Sequence, residues 1–222
     1  MRPSFLSFAT ASLALVCATL TACSTLQPLP YSGVASSSQM RPTPHDTSGR
    51  MPYEYRPETT RWERYSAFTM DPVEIYRGAD SQFEDISDDD KAFLAHSMRV
   101  EFSEKLRTRF RPSVTAGPET LRIKLTLTGA KSNTAVLSTL SRFDLLGGPY
   151  NAVQAARGKE GAMTGSVSFA VEIYDSSTNA LLAAYVAKQY PNAWNLKAGI
   201  GAMSASLAGV QNGADQLVAY LR

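Results

Sequence analysis

Cysteine and histidine are scarce in this chain of 222 residues, which contains two of each. The histidines, His45 and His96, stand far apart, and neither has a cysteine close to it in the sequence. Zinc-type sites instead place their Cys and His ligands in close pairs along the chain. The sequence therefore predicts no metal site and no cofactor.

The familiar catalytic motifs are also missing. The chain has no G-x-S-x-G, no S-x-x-K, no H-E-x-x-H and no glycine-rich phosphate loop after a strand. Glu172 and Asp175 could act as a catalytic pair of carboxylates. Their spacing at a strand end instead favours two solvent-facing side chains that shape the next turn. We therefore expect no catalytic residues, and an enzyme is the least favoured of the functions considered below.

A strong charge of either sign is absent as well, because the formal net charge is +2. Such a balance creates no field that would attract nucleic acid, and no polybasic patch that would bind a membrane surface. The hydrophobic share of 44% is nevertheless large enough to build a proper core. We therefore expect a globular protein with no nucleic-acid partner.

The first 22 residues have the organisation of a bacterial signal peptide. Arg2 is their only charged residue, and an apolar run from Phe5 to Leu20 follows it. This run is too short and too rich in small residues to form a typical transmembrane helix. It ends in Leu20-Thr21-Ala22-Cys23, which resembles the lipobox at which lipoproteins are cleaved. An ordinary secretory signal with an incidental Cys23 is the alternative.

The lipobox predicts that the mature chain begins at Cys23, whose thiol carries a diacylglyceryl group in a triacylated N-terminus. Several acyl chains on one residue give firm membrane anchoring, whereas one chain alone binds marginally. Ser24 follows, where an aspartate would indicate retention in the inner membrane. We therefore expect a protein that is lipid-anchored in the outer membrane and faces the periplasm.

Residues 23–64 read as a lipidated, flexible tether and lead-in. Their composition is typical of a linker, with six prolines, a run of three serines and no sustained apolar period. The second half mixes arginines with aromatic residues, a combination that binding surfaces favour. The alternative, and the favoured interpretation, is that these rings pack against the domain where the chain enters it.

Residues 65–222 are predicted to form a single α+β domain. Alternation in "LRIKLTLTGA" (121–130) and "SVSFAVEIYD" (166–175) predicts two strands, and "ALLAAYVAKQY" returns as a hairpin partner. A strand interrupted by Pro72 precedes them. Ser87 caps a helix that runs to about Phe110 and buries Phe93, and a second helix lies within 194–222. The pattern predicts an antiparallel, alternatively mixed, sheet of about four or five strands with two main helices on one face.

Three stretches resemble a family of Gram-negative lipoproteins known as domain of unknown function 3313. They are "YSGVASSSQMRP" (31–42), "YSAFTMDPV" (65–73) and "VEIYDSSTNALLAA" (171–184). Asn179 stands where the hairpin turn of such proteins usually has a glycine, and asparagine tolerates the left-handed conformation. The resemblance implies an envelope lipoprotein with an α/β sandwich, and it supplies no catalytic residue.

The connection from Thr134 to Gly165 is unusually long for a compact domain and rich in large apolar side chains. One interpretation is a helical hairpin packed over an open end of the sheet. The other is a projecting flap that presents an apolar face to a partner or to the bilayer. The candidate surface residues are Leu140, Phe143, Leu145, Leu146 and Tyr150.

The sequence thus favours a non-catalytic outer-membrane lipoprotein that binds an envelope protein partner or assists an assembly. A carrier of small apolar ligands such as lipids is the alternative, and it would need an internal cavity. A partner-binding protein would need an exposed apolar patch instead. A closed, well-packed core would therefore count against the carrier.

Overall fold

A computed structural model describes residues 27–44, 46–132, 165–191 and 203–222. These residues form an α+β fold with nine strands in one mixed sheet and two α-helices. The strands are β1 Arg41–Pro42, β2 Tyr53–Tyr55, β3 Ala67–Met70, β4 Glu74–Ile75, β5 Gln82–Glu84, β6 Arg111–Pro112, β7 Thr120–Lys131, β8 Ser166–Asp175 and β9 Leu181–Gln189; the helices are α1 Asp88–Leu106 and α2 Ser204–Tyr220.

The centre of the sheet is the antiparallel set β7, β8 and β9, in the order β1-β2-β9-β8-β7-β3-β6. The other edge of β7 pairs in parallel with β3, β4 and β5 in turn. The expected sheet of four or five strands was therefore too small, and the mixed alternative is the correct one. Strands of two to four residues carry too little alternation to be recognised in the sequence.

The apolar faces predicted for the long strands are buried, but the opposite face of β8 is buried as well. Leu121, Ile123, Leu125 and Leu127 are fully buried on one face of β7, and Ile123 stands opposite Ile173 of β8. Val167, Phe169, Val171 and Ile173 bury the matching positions of β8. We call this side of the sheet the helix face, because both helices lie on it.

Helix α1 begins as predicted at Ser87, whose Oγ accepts a hydrogen bond of 3.1 Å from the backbone N–H of Asp90. It ends at Leu106 instead of near Phe110. Its buried residues follow a spacing of four, at Leu94, Met98, Phe102 and Leu106. The expectation that Phe93 is buried was wrong, because this side chain points away from the stripe and is 50% exposed.

Helix α2 packs on the sheet and against α1, as the sequence predicted. Its glycines permit a close approach. A Cβ atom at Gly213 would lie 2.4 Å from the Phe169 ring, and one at Gly209 would lie 2.8 Å from the carbonyl oxygen of Gln189. Glycines that weaken an isolated helix therefore bring this one into contact with the sheet.

The expected flexible tether is contradicted across residues 27–44 and 46–64, which belong to the fold. We call residues 27–44 the N-terminal segment, and the sheet surface beneath it the segment face. Tyr31, Val34 and Met40 are at most 5% exposed and pack with Ala170, Ala184 and Val186 of that face. The segment has no periodic pattern because isolated apolar residues, each packed on the sheet, hold it in place.

The outermost strands β1 and β6 are both exposed Arg–Pro pairs. Proline offers no N–H to a further strand, and an arginine charge disfavours pairing of the edge with another chain. Among the described strands, the β1 edge and the β6 part of the opposite edge are thus short and chemically blunted, and β4 and β5 form the rest of that second edge.

Candidate functional site

A buried polar cluster lies between the segment face and the N-terminal segment. Glu172 is its centre, since the alternation that buries Val171 and Ile173 under the helices turns Glu172 to the other face of β8. Lys124 of β7 is its cross-strand partner. The prediction that Glu172 faces solvent was wrong, because only 1% of it is exposed.

The carboxylate of Glu172 makes directed contacts. Its Oε1 accepts a hydrogen bond of 2.8 Å from the backbone N–H of Ser36 and one of 3.1 Å from the Tyr174 hydroxyl. Its Oε2 lies 3.9 Å from Lys124 Nζ, which is 3.2 Å from the carboxylate of Glu74. Among the described residues, no group donates a hydrogen bond to Oε2.

These contacts compensate a charge that would be costly to bury alone. Burial, followed by the negative charge of Glu172 and the hydrogen bond to it, raises the pKa of Tyr174. The Tyr174 hydroxyl therefore keeps its proton and remains a donor at neutral pH. Chemically, the arrangement is a polar latch that fixes the backbone of the N-terminal segment to β8.

A second group of contacts fixes the start of the same segment. The Tyr76 hydroxyl accepts a hydrogen bond of 2.9 Å from Gly33 N–H and donates one of 2.6 Å to Asp80. The ring of Tyr31 packs edge-on against Tyr76 at 5.5 Å, and burial raises the pKa of Tyr31 to about 12. The hydrogen bond from Tyr76 holds the pKa of Asp80 below its usual value.

The N-terminal segment starts at Gln27, which lies at one end of the sheet. Gln82 Nε2 donates a hydrogen bond of 2.9 Å to the carbonyl oxygen of Gln27. Gln82 pairs with Gly129, which pairs with Ser168. The long connection leaves the described chain at Ser132 and rejoins it at Gly165, so both of its attachment points lie at this same end.

Several of the arginine and aromatic residues of 50–65 pack against the domain. Arg50 lies over the Tyr190 ring at 4.1 Å and Arg56 over the Tyr220 ring at 4.3 Å. Trp62 is 4% exposed and belongs to the core. For Trp62, the favoured interpretation that these rings pack against the domain is therefore confirmed.

The hairpin turn between β8 and β9 has the predicted form. Asp175 Oδ1 accepts hydrogen bonds from Ser177 N–H at 3.0 Å, Ser177 Oγ at 2.6 Å and Thr178 N–H at 2.9 Å. These contacts, led by the Ser177 hydroxyl, hold the pKa of Asp175 well below its usual range. Asn179 adopts the expected left-handed conformation, with φ at 61°.

The remaining predicted site residues lie outside the described part of the chain. They are Cys23, Ser24, Leu140, Phe143, Leu145, Leu146 and Tyr150. Within the described ranges, no three His, Cys, Asp or Glu side chains are grouped to hold a metal ion. None of the helices described there combines the length and apolar character needed to cross a bilayer.

Sequence reasoning missed the latch, although one signal could have indicated it. Ala170, Ala184 and Val186 are small apolar residues at strand positions that face away from the helices. Such residues on a supposedly solvated face indicate that something covers them. Glu172 stands directly opposite Ala184 in that apolar surround.

The chain has partial similarity to solved structures at very low sequence identity. The PelC dodecamer from Paraburkholderia phytofirmans is 8% identical, covering 67% of this chain and 86% of that chain at a TM-score of 0.35. A DUF4136 family protein from Bacteroides thetaiotaomicron is 12% identical, covering 76% and 95% at 0.35. A DUF330 protein from Xanthomonas campestris is 7% identical, covering 74% and 88% at 0.34. Likenesses of this size transfer neither an activity nor an assembly state.

No curated protein sequence matches the chain significantly. A family model does match, over residues 30–217. That range starts at the N-terminal segment and extends into α2, so it takes in the Ser36–Glu172 latch as well as the central strands. The chain therefore belongs to the family described as protein of unknown function (DUF3313).

Proposed function

We propose that the protein is a non-catalytic lipoprotein of the outer membrane, facing the periplasm, that binds an envelope protein partner or assists an assembly. The lipobox ending in Cys23, the serine at position 24 and the absence of standard catalytic motifs from the sequence support this proposal. The structure adds an argument about how such an anchor would hold the domain.

The observation that carries the proposal is the docking of the chain from Gln27 onward. Cys23 stands four residues ahead of Gln27, a stretch that spans at most about 14 Å when fully extended. A lipid on Cys23 would therefore hold one end of the sheet close to the bilayer instead of letting the domain swing on a long tether.

The connection at 133–164 is attached to that same end of the sheet, at Ser132 and Gly165. Leu140, Phe143, Leu145, Leu146 and Tyr150 are the large apolar residues of this connection, and an anchor at Cys23 would bring its two attachment points close to the membrane. We propose them as the surface that contacts a partner at the membrane or the bilayer itself.

The helix side of the core favours partner binding over the carriage of lipids. Leu94, Met98 and Phe102 of α1 are fully buried against the fully buried side chains of β7 and β8. A carrier would need space where these side chains pack. The described interface between helices and sheet is filled by the protein's own residues.

Membrane fractionation tests the proposal. We expect the wild-type chain in the outer-membrane fraction with the mass increment of acylation at Cys23. Cys23→Ser should release the protein into the soluble fraction, and Ser24→Asp should move it to the inner membrane. A soluble wild-type chain with an unmodified Cys23 would refute the lipoprotein assignment.

A triple change of Leu140, Phe143 and Leu146 to serine tests the proposed surface. It should reduce recovery of partners cross-linked at the membrane, or binding to vesicles, while leaving the thermal midpoint unchanged. The matched control changes three exposed apolar residues elsewhere, Phe93, Val100 and Val114, to serine. A fall in thermal stability without loss of association would assign the connection to the core.

A further inference from the structure

A cleft lies at the end of the sheet opposite to Gln27. Its volume is about 220 Å³, and its lining includes Tyr55, Arg61, Arg64, Tyr65, Leu181 and Leu182. We call it the Arg–Tyr cleft. Leu181 pairs with Tyr174, whereas Gln27 lies level with Ser168, and six strand residues separate these positions by about 20 Å.

The walls of the cleft are fixed to the folded domain. Thr60 Oγ1 donates a hydrogen bond of 3.1 Å to the carbonyl oxygen of Leu182, and the Tyr65 hydroxyl donates one of 2.9 Å to Asp175. Between them, Trp62 is buried with its ring 6.3 Å from that of Tyr220. A surface held in this way loses little conformational freedom when it binds a ligand.

The arginines of the cleft are not paired with a carboxylate of the described lining. Arg61 and Arg64 are exposed, and neither guanidinium forms an ion pair or a hydrogen bond with the described residues. None of the described residues that line the cleft is acidic. Arg50 and Arg56 of the same stretch differ, since both lie over tyrosine rings and donate hydrogen bonds to the domain.

A larger cleft of about 480 Å³ on the other side of the hairpin is chemically different. Its lining contains Arg99 and Arg122, and Arg122 is already paired with Asp71 at 2.7 Å and donates to Asn179 at 2.7 Å. An acidic ligand there would have to compete with a carboxylate that is part of the wall. In the smaller cleft, neither Arg61 nor Arg64 is paired with a described carboxylate, and the carboxylate of Asp175 accepts from the Tyr65 hydroxyl instead.

We propose that the Arg–Tyr cleft binds an acidic segment of a partner protein. Carboxylates of the segment pair with Arg61 and Arg64, and an apolar or aromatic side chain packs between the tyrosine rings and Leu181. Arginine and tyrosine are enriched among the residues that dominate binding energy at interfaces. This inference rests on the proposed partner-binding role but uses a different surface, at the end of the sheet away from the proposed anchor.

Selection from a displayed library of random peptides on the purified full-length chain tests this inference. We expect the enriched peptides to be rich in Asp and Glu around an apolar or aromatic residue. A synthesised peptide from that set should bind with an affinity that falls as salt rises. The Arg61→Gln/Arg64→Gln double variant should weaken its binding by about tenfold or more.

The matched control is Arg77→Gln/Arg107→Gln, which lowers the net charge equally at exposed positions outside the cleft. This variant should bind the peptide like the wild type. Selected peptides without an acidic excess, or equal binding to both double variants, would overturn the proposal. So would a cleft variant that loses binding to phosphatidylglycerol vesicles but not to the acidic peptide, because the surface would then bind lipid headgroups.

Failure here is distinguishable from failure of the proposed function. The peptide measurement uses purified protein and does not depend on where the chain lies in the cell. A soluble, unlipidated chain that still binds the acidic peptide would refute the lipoprotein assignment alone. A lipidated outer-membrane protein whose cleft variant binds normally would refute only the assignment of the cleft.

Discussion

The helix face and the segment face are built from alternate residues of the same three strands, yet they are held together differently. On the helix face, aliphatic and aromatic side chains such as Leu125 and Phe169 are fully buried under two helices. On the segment face, the buried set includes Glu172, Thr128 and Ser168 beneath a chain with almost no regular structure. The helix face relies on apolar area, whereas the segment face combines a smaller apolar cluster around Tyr31, Val34 and Met40 with directed hydrogen bonds to Glu172.

The difference has a physical consequence. Apolar burial is non-directional and grows with area, so the helix face should supply most of the stability of the fold. A buried carboxylate that accepts from Ser36 N–H tolerates little displacement, so the segment face should fix position more than it stabilises. We therefore expect changes on the two faces to affect different properties.

The largest expected effect is on the helix face. Phe169 packs edge-on against Phe102 at 5.5 Å and lies under Gly213, so Phe169→Ala would leave a cavity among tightly packed groups. It should lower the free energy of unfolding by about 3–5 kcal/mol, as measured by urea denaturation. Phe93→Ala on the exposed side of α1 is the control and should cost far less. Similar losses for both would contradict the assignment of the core.

A smaller, local effect is expected at the latch. Glu172→Ala would leave the Ser36 N–H and the Tyr174 hydroxyl without their acceptor, at a cost of about 2–3 kcal/mol. Hydrogen exchange should show faster exchange throughout residues 27–44 while β7 to β9 stay protected. Glu172→Gln keeps an acceptor oxygen and should have a weaker effect. Uniform loss of protection across both faces would mean that they are not separable.

The smallest expected effect is on the pH dependence of stability, and it concerns the hairpin turn between β8 and β9. The pKa of Asp175 is lower in the folded chain than the usual value of about 3.9. Its contribution to stability is therefore present above that value and is lost as pH falls toward the folded pKa. Asp175→Asn should consequently lose less thermal stability than the wild type between neutral pH and about pH 3.

The control for this comparison is Asp89→Asn in the first turn of α1, where no side-chain hydrogen bond to the carboxylate occurs among the described residues. Its thermal midpoint should follow the wild type across the same pH range. If Asp175→Asn and the wild type lose stability in parallel, the hydrogen bonds of the turn do not set the acid sensitivity.

The sequence predicted the helix face well because its signals are local. Alternation from Leu121 to Leu127 and the Ser87 cap depend on neighbours a few residues away, and both are present in the structure. Phe93 was misplaced because the helical spacing of four that runs through Leu94 excludes it. The local pattern thus predicted which elements form. The errors concerned which residues of a helix are buried and where the helix ends.

The segment face could not be predicted in the same way, because its structure depends on contacts between residues that are far apart in the sequence. Arg41 pairs with Glu54, and Tyr53 with Val186, in strands of two and three residues whose local preference is slight. Proline-rich sequence around Pro42 and Pro52 is also typical of linkers. Glu172 was misjudged for the same reason, since the group that covers it is far away in the chain.

The large sequence separation of these contacts affects when they form during folding. The latch joins residues 136 positions apart, and Arg56 reaches Tyr220 across 164 positions. Closing such loops costs entropy before any contact is gained, so contacts of this kind tend to form late in folding. Ser36 and Arg56 thus gain these partners only when β8 and α2 are in place, whereas Gly33 finds the Tyr76 hydroxyl 43 positions away. We therefore expect the docking of Ser36 onto Glu172 to be among the late steps by which the molecule becomes native.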